Sequence, residues 1–257
     1  MQRSVSFDRA ASFYDRTRAM SPGVSAAITD AILAQLERSG AGRLLEVGVG
    51  TGRIARPLLA RGLPVTGVDI APQMMAQLIA QLGPGRRRPD LVLGDATRLP
   101  FRDDAFPAVL TVHVLHLVSS AEDAIAEIGR VLAPGGVFLH KMQRDPEPLR
   151  ASGEWWDEAL ARHGHPPIRR LRFAQQRELL LATGATVETF DIAEEMLRHD
   201  PEEVLDLARR RVHSWTWQVA EDTFAQVFLA YERWFRRHYT TEIVEEITHQ
   251  LEVWLWP

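Results

Sequence analysis

The chain has no cysteine and only one lysine, and both features restrict its chemistry. Without cysteine there can be no disulfide, thiolate metal site or cysteine nucleophile, and this composition fits a cytoplasmic protein. The single lysine is Lys141, so a Schiff-base lysine or a phosphate-binding lysine would have to be that residue.

Long apolar runs and excess positive charge are also lacking. No run approaches the roughly 20 apolar residues that a membrane-spanning helix needs, and the first ten residues contain no signal-peptide core. The net charge is −4 in 257 residues, which gives the protein no general attraction to nucleic acid or to anionic membranes. We interpret the arginine clusters 86–88 and 209–211 as solvated helix ends or loops. We therefore expect a cytoplasmic protein that binds neither a membrane nor nucleic acid.

The sequence alternates short apolar runs with amphipathic segments of helical periodicity. The predicted strands are 43–47, 64–69, 90–93, 105–113, 137–141, 186–192 and 251–256. The predicted helices between and before them are 24–38, 54–61, 72–81, 121–132 and 172–183. Such alternation is typical of βαβ units, and it predicts an α/β fold with a doubly wound, mostly parallel sheet.

Two parts of the chain depart from this alternation. Residues 1–40 form a predicted N-terminal helical cap segment, and 197–245 a predicted inserted helical cap segment over the acceptor site. The core is then 41–196 together with 246–257. Within the insertion, Phe224, Phe228, Tyr231 and Phe235 share one helical face. This stripe is more typical of a hydrophobic core than of a binding surface, although part of it could line an apolar acceptor pocket.

The stretch LLEVGVGTGR, residues 44–53, combines a strand with a glycine turn. A dinucleotide fingerprint reads G-x-G-x-x-G, whereas this turn reads G-x-G-x-G, with Gly52 last and Arg53 at the expected third glycine. Glu46, just before the turn, would repel a pyrophosphate. It suits a ligand that carries positive charge.

Further carboxylates follow the next two strands. Asp69 ends the second strand, where an acidic residue accepts hydrogen bonds from ribose hydroxyls. Asp95 follows the third strand and can accept the exocyclic amine of adenine. A glycine turn with three carboxylates at strand ends describes a ligand with adenine, ribose and a sulfonium or ammonium, which is S-adenosylmethionine.

At this point the chain resembles the class I methyltransferases, in particular the small-molecule type 11 subgroup. The resemblance covers about residues 42–141. It rests on LLEVGVGTGRIARPL, VTGVDIAPQMM, LVLGDATRLPFRDDAF, AVLTVHVLHLV and AIAEIGRVLAPGGVFLH, in that order. It implies a Rossmann-like sheet of seven strands whose last strand is antiparallel. In many members an aspartate follows the Phe that begins the fourth strand. Here Pro107 follows Phe106, and we expect the strand to begin one residue after Phe106.

The resemblance also implies a set of cofactor-binding residues. Glu46, Gly48, Val49, Gly50 and Gly52 would surround the methionine part, Asp69 the ribose, and Ile70, Met74, Asp95 and Ala96 the adenine. The backbone of Val112 would meet the amino group of the cofactor, and His113 follows at the mouth of the fourth strand. Tyr14 would close over the cofactor, and Arg18 would meet its carboxylate.

Methyl transfer from a sulfonium needs mainly proximity and orientation, and a base only where the nucleophile carries a proton of high pKa. His113 is the candidate catalytic base. His116, three residues later, is more often structural in such sequences. A metal site is not predicted, because the two histidines have no evident third ligand.

The sequence therefore predicts an S-adenosylmethionine-dependent methyltransferase that acts on a small-molecule acceptor. Two alternatives remain: a non-catalytic protein that binds the same ligand, and an NAD-dependent oxidoreductase, which Glu46 and Arg53 disfavour. The sequence does not separate O-, N- and C-methylation, nor a monomer from a homodimer.

Overall fold

The computed structural model describes residues 4–143, 147–166 and 171–256, with side chains described outside 142–150. These residues form two compact units. The first comprises residues 1–143, 171–193 and 249–257, and the second residues 144–170 and 194–248.

The first unit is built on a sheet whose strands alternate with helices along the chain. The strands are β1 (Leu44–Val47), β2 (Val65–Asp69), β3 (Asp90–Leu93), β4 (Phe106–Val112), β5 (Leu132–Gln143), β6 (Thr186–His199) and β7 (Ile243–Leu255). The helices of this unit are α1 (Tyr14–Thr17), α2 (Pro22–Arg38), α3 (Ala55–Ala60), α4 (Pro72–Gln81), α5 (Ala121–Val131) and α7 (Phe173–Leu181). A short 3₁₀ helix, Asp8–Ala10, precedes α1.

The strand order is β3-β2-β1-β4-β5-β7-β6. β1 pairs in parallel with β2 and β4, and β4 with β5, whereas β7 runs antiparallel to β5. The order reverses at β1, which is the topological switch point where open α/β sheets bind ligands. The predicted fold, a seven-stranded, mostly parallel, Rossmann-like sheet, is confirmed.

Both faces of the central strands β1, β4 and β5 are buried, which explains why these strands are nearly continuous apolar runs. Leu44 packs on one face with residues of α2 and α3, and Leu45 packs on the other with residues of α5. Consecutive side chains of a strand point to opposite faces, so neighbouring leucines can serve two cores.

Helix boundaries follow local capping. Ser21 accepts a hydrogen bond from the Val24 amide at the start of α2, and Ser120 accepts one from the Asp123 amide at the start of α5. Side-chain acceptors at these positions satisfy amides that have no partner within the helix. Both helices therefore begin where the sequence places a serine.

Pro107 lies inside β4 and does not delay its start. β4 begins at Phe106, one residue earlier than predicted, and its pairing with β5 shifts register between Phe106 and Ala108. Proline has no amide hydrogen to donate. The irregularity at this position accommodates it, so the predicted later start of the strand is wrong.

The second unit contains α6 (Glu147–Arg162), α8 (Pro201–Arg209), the 3₁₀ helix Ser214–Gln218 and α9 (Glu221–His238). Phe224, Phe228, Tyr231 and Phe235 of α9 are buried in one cluster with Trp156 of α6. The rings of Trp156 and Phe224 stack at 5.4 Å. The aromatic stripe is therefore a core, as its periodicity predicted. Helix α6 was not predicted from the sequence.

Candidate functional site

The glycine turn after β1 requires a left-handed backbone at three alternate residues. Gly48, Gly50 and Gly52 have φ values of 77°, 54° and 74°, a region that residues with a Cβ rarely adopt. The amides of Gly48 and Val49 both donate to the carbonyl of Val68, at 2.7 and 3.1 Å. The turn is thus fixed to the end of β2, and its backbone faces the switch point.

Packing around the turn leaves no room for side chains at two of these glycines. A Cβ at Gly48 would lie 2.4 Å from Cγ2 of Val114, and one at Gly52 would lie 2.5 Å from Cγ of Leu78. A Cβ at Gly50 would reach Cε of Met74 at 3.4 Å, which is ordinary contact. Gly48 and Gly52 are therefore required by packing as well as by φ.

We expect Gly48→Ala to destabilise the protein by about 2–5 kcal/mol, because backbone strain adds to overpacking against Val114. Gly62→Ala is the matched control, since Gly62 also has a positive φ, 89°, but has no atom within 4 Å of an added Cβ. The control should cost only about 1–2 kcal/mol. Urea denaturation measures both, and equal losses would show that packing at Gly48 contributes nothing.

Asp69, at the end of β2, holds the glycine turn through its carboxylate. Its Oδ2 accepts from the Gly50 amide and its Oδ1 from the Ala71 amide, both at 2.8 Å. Burial raises the pKa of Asp69, and the backbone hydrogen bonds from Ala71, Gly50 and Ile70 lower it in part. Two carboxylate oxygens offer about four acceptor positions, so Asp69 keeps capacity for ligand hydroxyls.

Asp95 is fixed in a similar way after β3. Its Oδ1 accepts from both the amide and the hydroxyl of Thr97, at 2.9 Å. The other oxygen is not involved in these bonds. Asp95 therefore presents an oriented carboxylate at the edge of the sheet.

Glu46 is the most deeply buried acid of the site, with 2% of its surface exposed. Its Oε2 has no hydrogen-bond partner among the described residues. Burial raises the pKa of Glu46 to about 8, the nearby Arg53 opposes this, and Asp69 adds to it. Such a carboxyl group would be stabilised in its ionised form by a cation brought close to it.

A cavity of about 640 Å³, including the part open to solvent, lies at the carboxyl ends of β1, β2 and β4. Ten of the predicted site residues line it: Tyr14, Gly48, Gly50, Asp69, Ile70, Met74, Asp95, Ala96, Val112 and His113. The structure thus brings together residues from segments more than 90 positions apart.

Four other predicted residues do not line the cavity: Arg18, Glu46, Val49 and Gly52. Val49 and Glu46 are buried behind the turn. Arg18 accepts a hydrogen bond at its carbonyl from the Arg53 guanidinium, and burial lowers the pKa of the Arg18 side chain. These residues support the turn in this structure, and their predicted contacts with a ligand stay predictions.

The N-terminal segment forms one wall of the cavity through Ser4, Val5, Phe7 and Tyr14. The Val5 amide donates to the Leu117 carbonyl at 2.9 Å, and Asp8 accepts from the Gln73 amide at 2.7 Å. The rings of Phe7 and Tyr14 meet edge to face at 5.7 Å. The sequence predicted Tyr14 as a site residue but not Ser4, Val5 or Phe7, which belong to no motif.

Val114, Leu117 and Val118 also line the cavity. They were not predicted as site residues, although they belong to the motif AVLTVHVLHLV. Their apolar character is typical of core residues. Only their position after the end of β4 distinguishes them.

His113 directly follows β4 with a φ of 54°, which is unusual for a residue with a side chain. Its half-buried imidazole lines the cavity. Burial lowers the pKa of His113 well below 6.5, and the positive charges of Lys141 and Arg53 lower it further. The imidazole is therefore neutral at neutral pH. His116 is exposed and does not line the cavity.

No group of three or more histidine, cysteine, aspartate or glutamate side chains suited to a metal ion occurs in residues 4–143, 147–166 and 171–256. Over the same described residues, no helix is both long and apolar enough to cross a membrane.

Comparison with known proteins shows what the part of the chain that forms the cavity is similar to. Residues 45–140 match the family model of a methyltransferase domain, type 11. The predicted resemblance to this subgroup of methyltransferases is confirmed for that segment.

Two relatives illustrate the similarity. The malonyl-[acyl-carrier protein] O-methyltransferase of Halorhodospira halophila is 36% identical over 138 residues, which are 52% of this chain and 45% of the relative. The phosphatidylethanolamine N-methyltransferase of Cereibacter sphaeroides is 35% identical over 125 residues, 47% of this chain and 59% of the relative. The chain spans between 25% and 59% of the length of such curated relatives.

Among solved structures, the fold is similar to Haemonchus contortus phosphoethanolamine N-methyltransferase 2 in complex with S-adenosyl-L-methionine. The TM-score is 0.51 at 20% identity, and the match covers 96% of this chain and 60% of the other. At this identity the similarity concerns the fold.

Proposed function

We propose that this chain is an S-adenosylmethionine-dependent methyltransferase that transfers a methyl group to a small-molecule acceptor. The observation that carries the proposal is the switch-point cavity, where the glycine turn, Asp69 and Asp95 meet at the carboxyl ends of the strands. The O- and N-methyltransferase names of the relatives support the reaction type and leave the acceptor open.

The residues present fit an adenosyl cofactor with positive charge. The Oε2 atom of Glu46 is buried and has no hydrogen-bond partner among the described residues. At Gly50 the left-handed turn places backbone without a side chain at the cavity. A buried acid of raised pKa beside a ligand site suits a cation and disfavours a pyrophosphate. This charge arrangement also disfavours the NAD-dependent alternative.

When bound, the cofactor supplies a methyl group on a sulfonium sulfur, which is already activated for displacement. Asp69 would accept the ribose hydroxyls, and Asp95 with Ala96 would bind the adenine, against which Ile70 and Met74 pack. The glycine turn would surround the methionine part, and the Val112 carbonyl would accept from its amino group. Tyr14 and the N-terminal wall would exclude water, so that this chain provides mainly proximity and orientation.

The role of His113 as a base stays a prediction. A neutral imidazole at the cavity can accept a proton from an acceptor or donate a hydrogen bond to it. The helical caps predicted at 1–40 and 197–245, the cytoplasmic location, the absence of nucleic-acid binding and the choice between monomer and homodimer also stay predictions.

Titration calorimetry with S-adenosylhomocysteine and with NADH tests the proposal. We expect S-adenosylhomocysteine to bind in the micromolar range and NADH not to bind. Incubation with methyl-labelled cofactor and a small-molecule extract should then place label in a new, chromatographically distinct compound. Binding of NADH alone would overturn the proposal, and binding without any transfer of label would favour the non-catalytic alternative.

A further inference from the structure

Residues 4–8 form a strap that lies across the cavity. At one end of the strap, the Val5 amide donates to the Leu117 carbonyl at 2.9 Å, and the Ser119 amide donates to Oγ of Ser4 at 3.1 Å. Leu117 and Ser119 belong to the loop between β4 and α5. This end of the strap is therefore attached to the β4 side of the cavity.

The other end of the strap is attached to α4. The Oδ1 atom of Asp8 accepts from the Gln73 amide at 2.7 Å, and Gln73 lies in the first turn of α4, which follows β2. In the sheet, β2 and β4 are the two neighbours of β1. The strap therefore spans the switch point, and Ser4, Val5 and Phe7 line the cavity along its length.

Helix α4 has no capping side chain next to it in the sequence. The residue before its first turn is Ala71, which forms no side-chain cap bond. The amides of a first helical turn need acceptors from outside the helix. Asp8, 65 positions before Gln73 in the chain, supplies one to it. The negative charge of Asp8 is also favourable at this end of the helix dipole.

A local cap of the same kind is present at α8. There Asp200 precedes Pro201 and accepts from the Glu202 amide at 2.8 Å. In α4 the same bond to the second residue of the helix is made by Asp8 of the strap. The two bonds match in donor position and in acceptor chemistry. Asp200 therefore provides a reference for what a cap contributes to stability alone.

The first turn of α4 also forms part of the cavity. Ile70, just before the helix, and Met74, next to Gln73, both line it. The Asp8 bond therefore joins the strap to the segment that presents these two side chains. The bonds of Ser4 and Val5 join neutral groups, whereas a hydrogen bond to an ionised acceptor is about twice as strong. Loss of the Asp8 bond should therefore loosen the strap more than loss of either of these.

We infer that Asp8 is a positioning residue that caps α4 from a distance and thereby holds the strap closed, so that S-adenosylmethionine enters and S-adenosylhomocysteine leaves only when the bond from Gln73 to Asp8 opens. This inference rests on the proposed function and assigns the step that limits cofactor exchange. Loss of the bond should favour the open strap both with and without ligand. Association and dissociation should then accelerate together, with little change in affinity.

The first test measures the association and release rates of labelled S-adenosylhomocysteine by rapid filtration. In Asp8→Ala we expect both rates to rise by about five- to tenfold, as loss of one helix cap predicts. The dissociation constant should stay within about threefold of the wild type, because both rates change together. Asp8→Asn keeps an accepting oxygen, so both of its rates should stay within about twofold of the wild type. Unchanged rates in Asp8→Ala, or a loss of affinity at an unchanged association rate, would overturn the inference.

Asp200→Ala is the matched control. It removes the corresponding cap from α8, and Asp200 does not line the cavity. This variant should lower the melting temperature about as much as Asp8→Ala does, but leave both rates within about twofold of the wild type. Equal acceleration in the two variants would mean that general destabilisation is the cause, and that result contradicts the inference.

A second test uses the protein without ligand. Hydrogen exchange of the Val5 amide, which is bonded to the Leu117 carbonyl at the opposite end of the strap, is followed by NMR. In Asp8→Ala this exchange should become about five- to tenfold faster, whereas Asp8→Asn and Asp200→Ala should keep the wild-type rate. Faster exchange at Gln73 with no change at Val5 would show that Asp8 caps α4 without holding the strap, and the inference would fail.

These outcomes are distinguishable from those that concern the proposed function. Failure of the wild type to bind S-adenosylhomocysteine would refute the proposed function itself. Normal binding with unchanged rates in Asp8→Ala would refute only the role of Asp8. If thermal melting shows that Asp8→Ala does not fold, Asp8→Glu replaces it, because the longer side chain displaces the accepting oxygen, and the same acceleration is expected.

Discussion

Asp69→Ala is expected to weaken the binding of S-adenosylhomocysteine by about 10²- to 10⁴-fold. The replacement would remove the proposed acceptor of two ribose hydroxyls, and each hydrogen bond to a charged group contributes about 1.5–3 kcal/mol. It also removes the 2.8 Å bond that holds the Gly50 amide. The loss should therefore combine missing ligand contacts with a loosened turn. Titration calorimetry measures it directly.

Asp69→Asn separates these two contributions. The asparagine keeps one accepting oxygen, so it can serve either the Gly50 amide or a ribose hydroxyl, and we expect a loss of about 10- to 100-fold. The matched control is Asp90→Ala, which removes an exposed acid at the start of the neighbouring strand β3. Its affinity should stay within twofold of the wild type. An Asp69→Ala protein that melts normally and binds normally would contradict the site.

Glu46→Gln is expected to make the cofactor-free protein more stable than the wild type, by an amount that grows as pH rises. The folded protein binds the Glu46 proton with a pKa of about 8, against an ordinary value of 4.5. Between these values the unfolded chain carries fewer protons than the folded one, so stability falls as pH rises from about 4.5 to about 8 and is constant above. At about 1.4 kcal/mol for each pKa unit, the penalty at pH 8 is at most roughly 5 kcal/mol.

Glutamine has no proton to lose, so the variant should escape this penalty. Urea denaturation at pH 5 and pH 8 should show the wild type losing stability relative to Glu46→Gln between the two values. Glu37→Gln, which changes an exposed acid on α2, is the control and should follow the wild type. Parallel pH dependence in Glu46→Gln and wild type would show that Glu46 is ionised in the folded protein.

The same carboxyl group should make cofactor affinity depend on pH. A cation near Glu46 favours its ionised form, so the affinity for S-adenosylmethionine should rise with pH up to about 8, by at most tenfold per unit. Glu46→Gln should show a flatter dependence over the same interval. Ionisation of Glu46 would then destabilise the cofactor-free protein and strengthen cofactor binding over the same pH interval.

Much of the first unit could be predicted from local pattern. The alternation of apolar runs and amphipathic helices predicted β1 to β4 to within one residue at each end. The other three strands are longer than predicted: β5 begins at Leu132 and not at 137, β6 continues to His199 beyond 192, and β7 begins at Ile243 and not at 251. The glycine turn was predictable because three left-handed residues in five positions admit glycine almost exclusively. Asp69 and Asp95 were predictable because strands of a parallel sheet end at one edge.

The remaining parts depend on contacts distant in sequence. The wall made by Ser4, Val5 and Phe7 rests on backbone hydrogen bonds such as that from Val5 to Leu117, and no local pattern encodes them. Helix α6 was not predicted, although its buried residues Trp156, Ala159 and Leu160 follow helical spacing.

By itself, the sequence determined the strand–turn–helix order, the glycine turn and the acids at the strand ends, because steric limits and side-chain period act over a few neighbouring residues. Only the tertiary structure decided that Glu46 is buried with an oxygen that has no partner among the described residues, and that Lys141 on β5 meets His249 on β7. Burial and electrostatic interaction depend on which elements pack together in space. The nature of the methyl donor could therefore be inferred from local motifs, whereas the acceptor depends on residues that only the tertiary structure brings together.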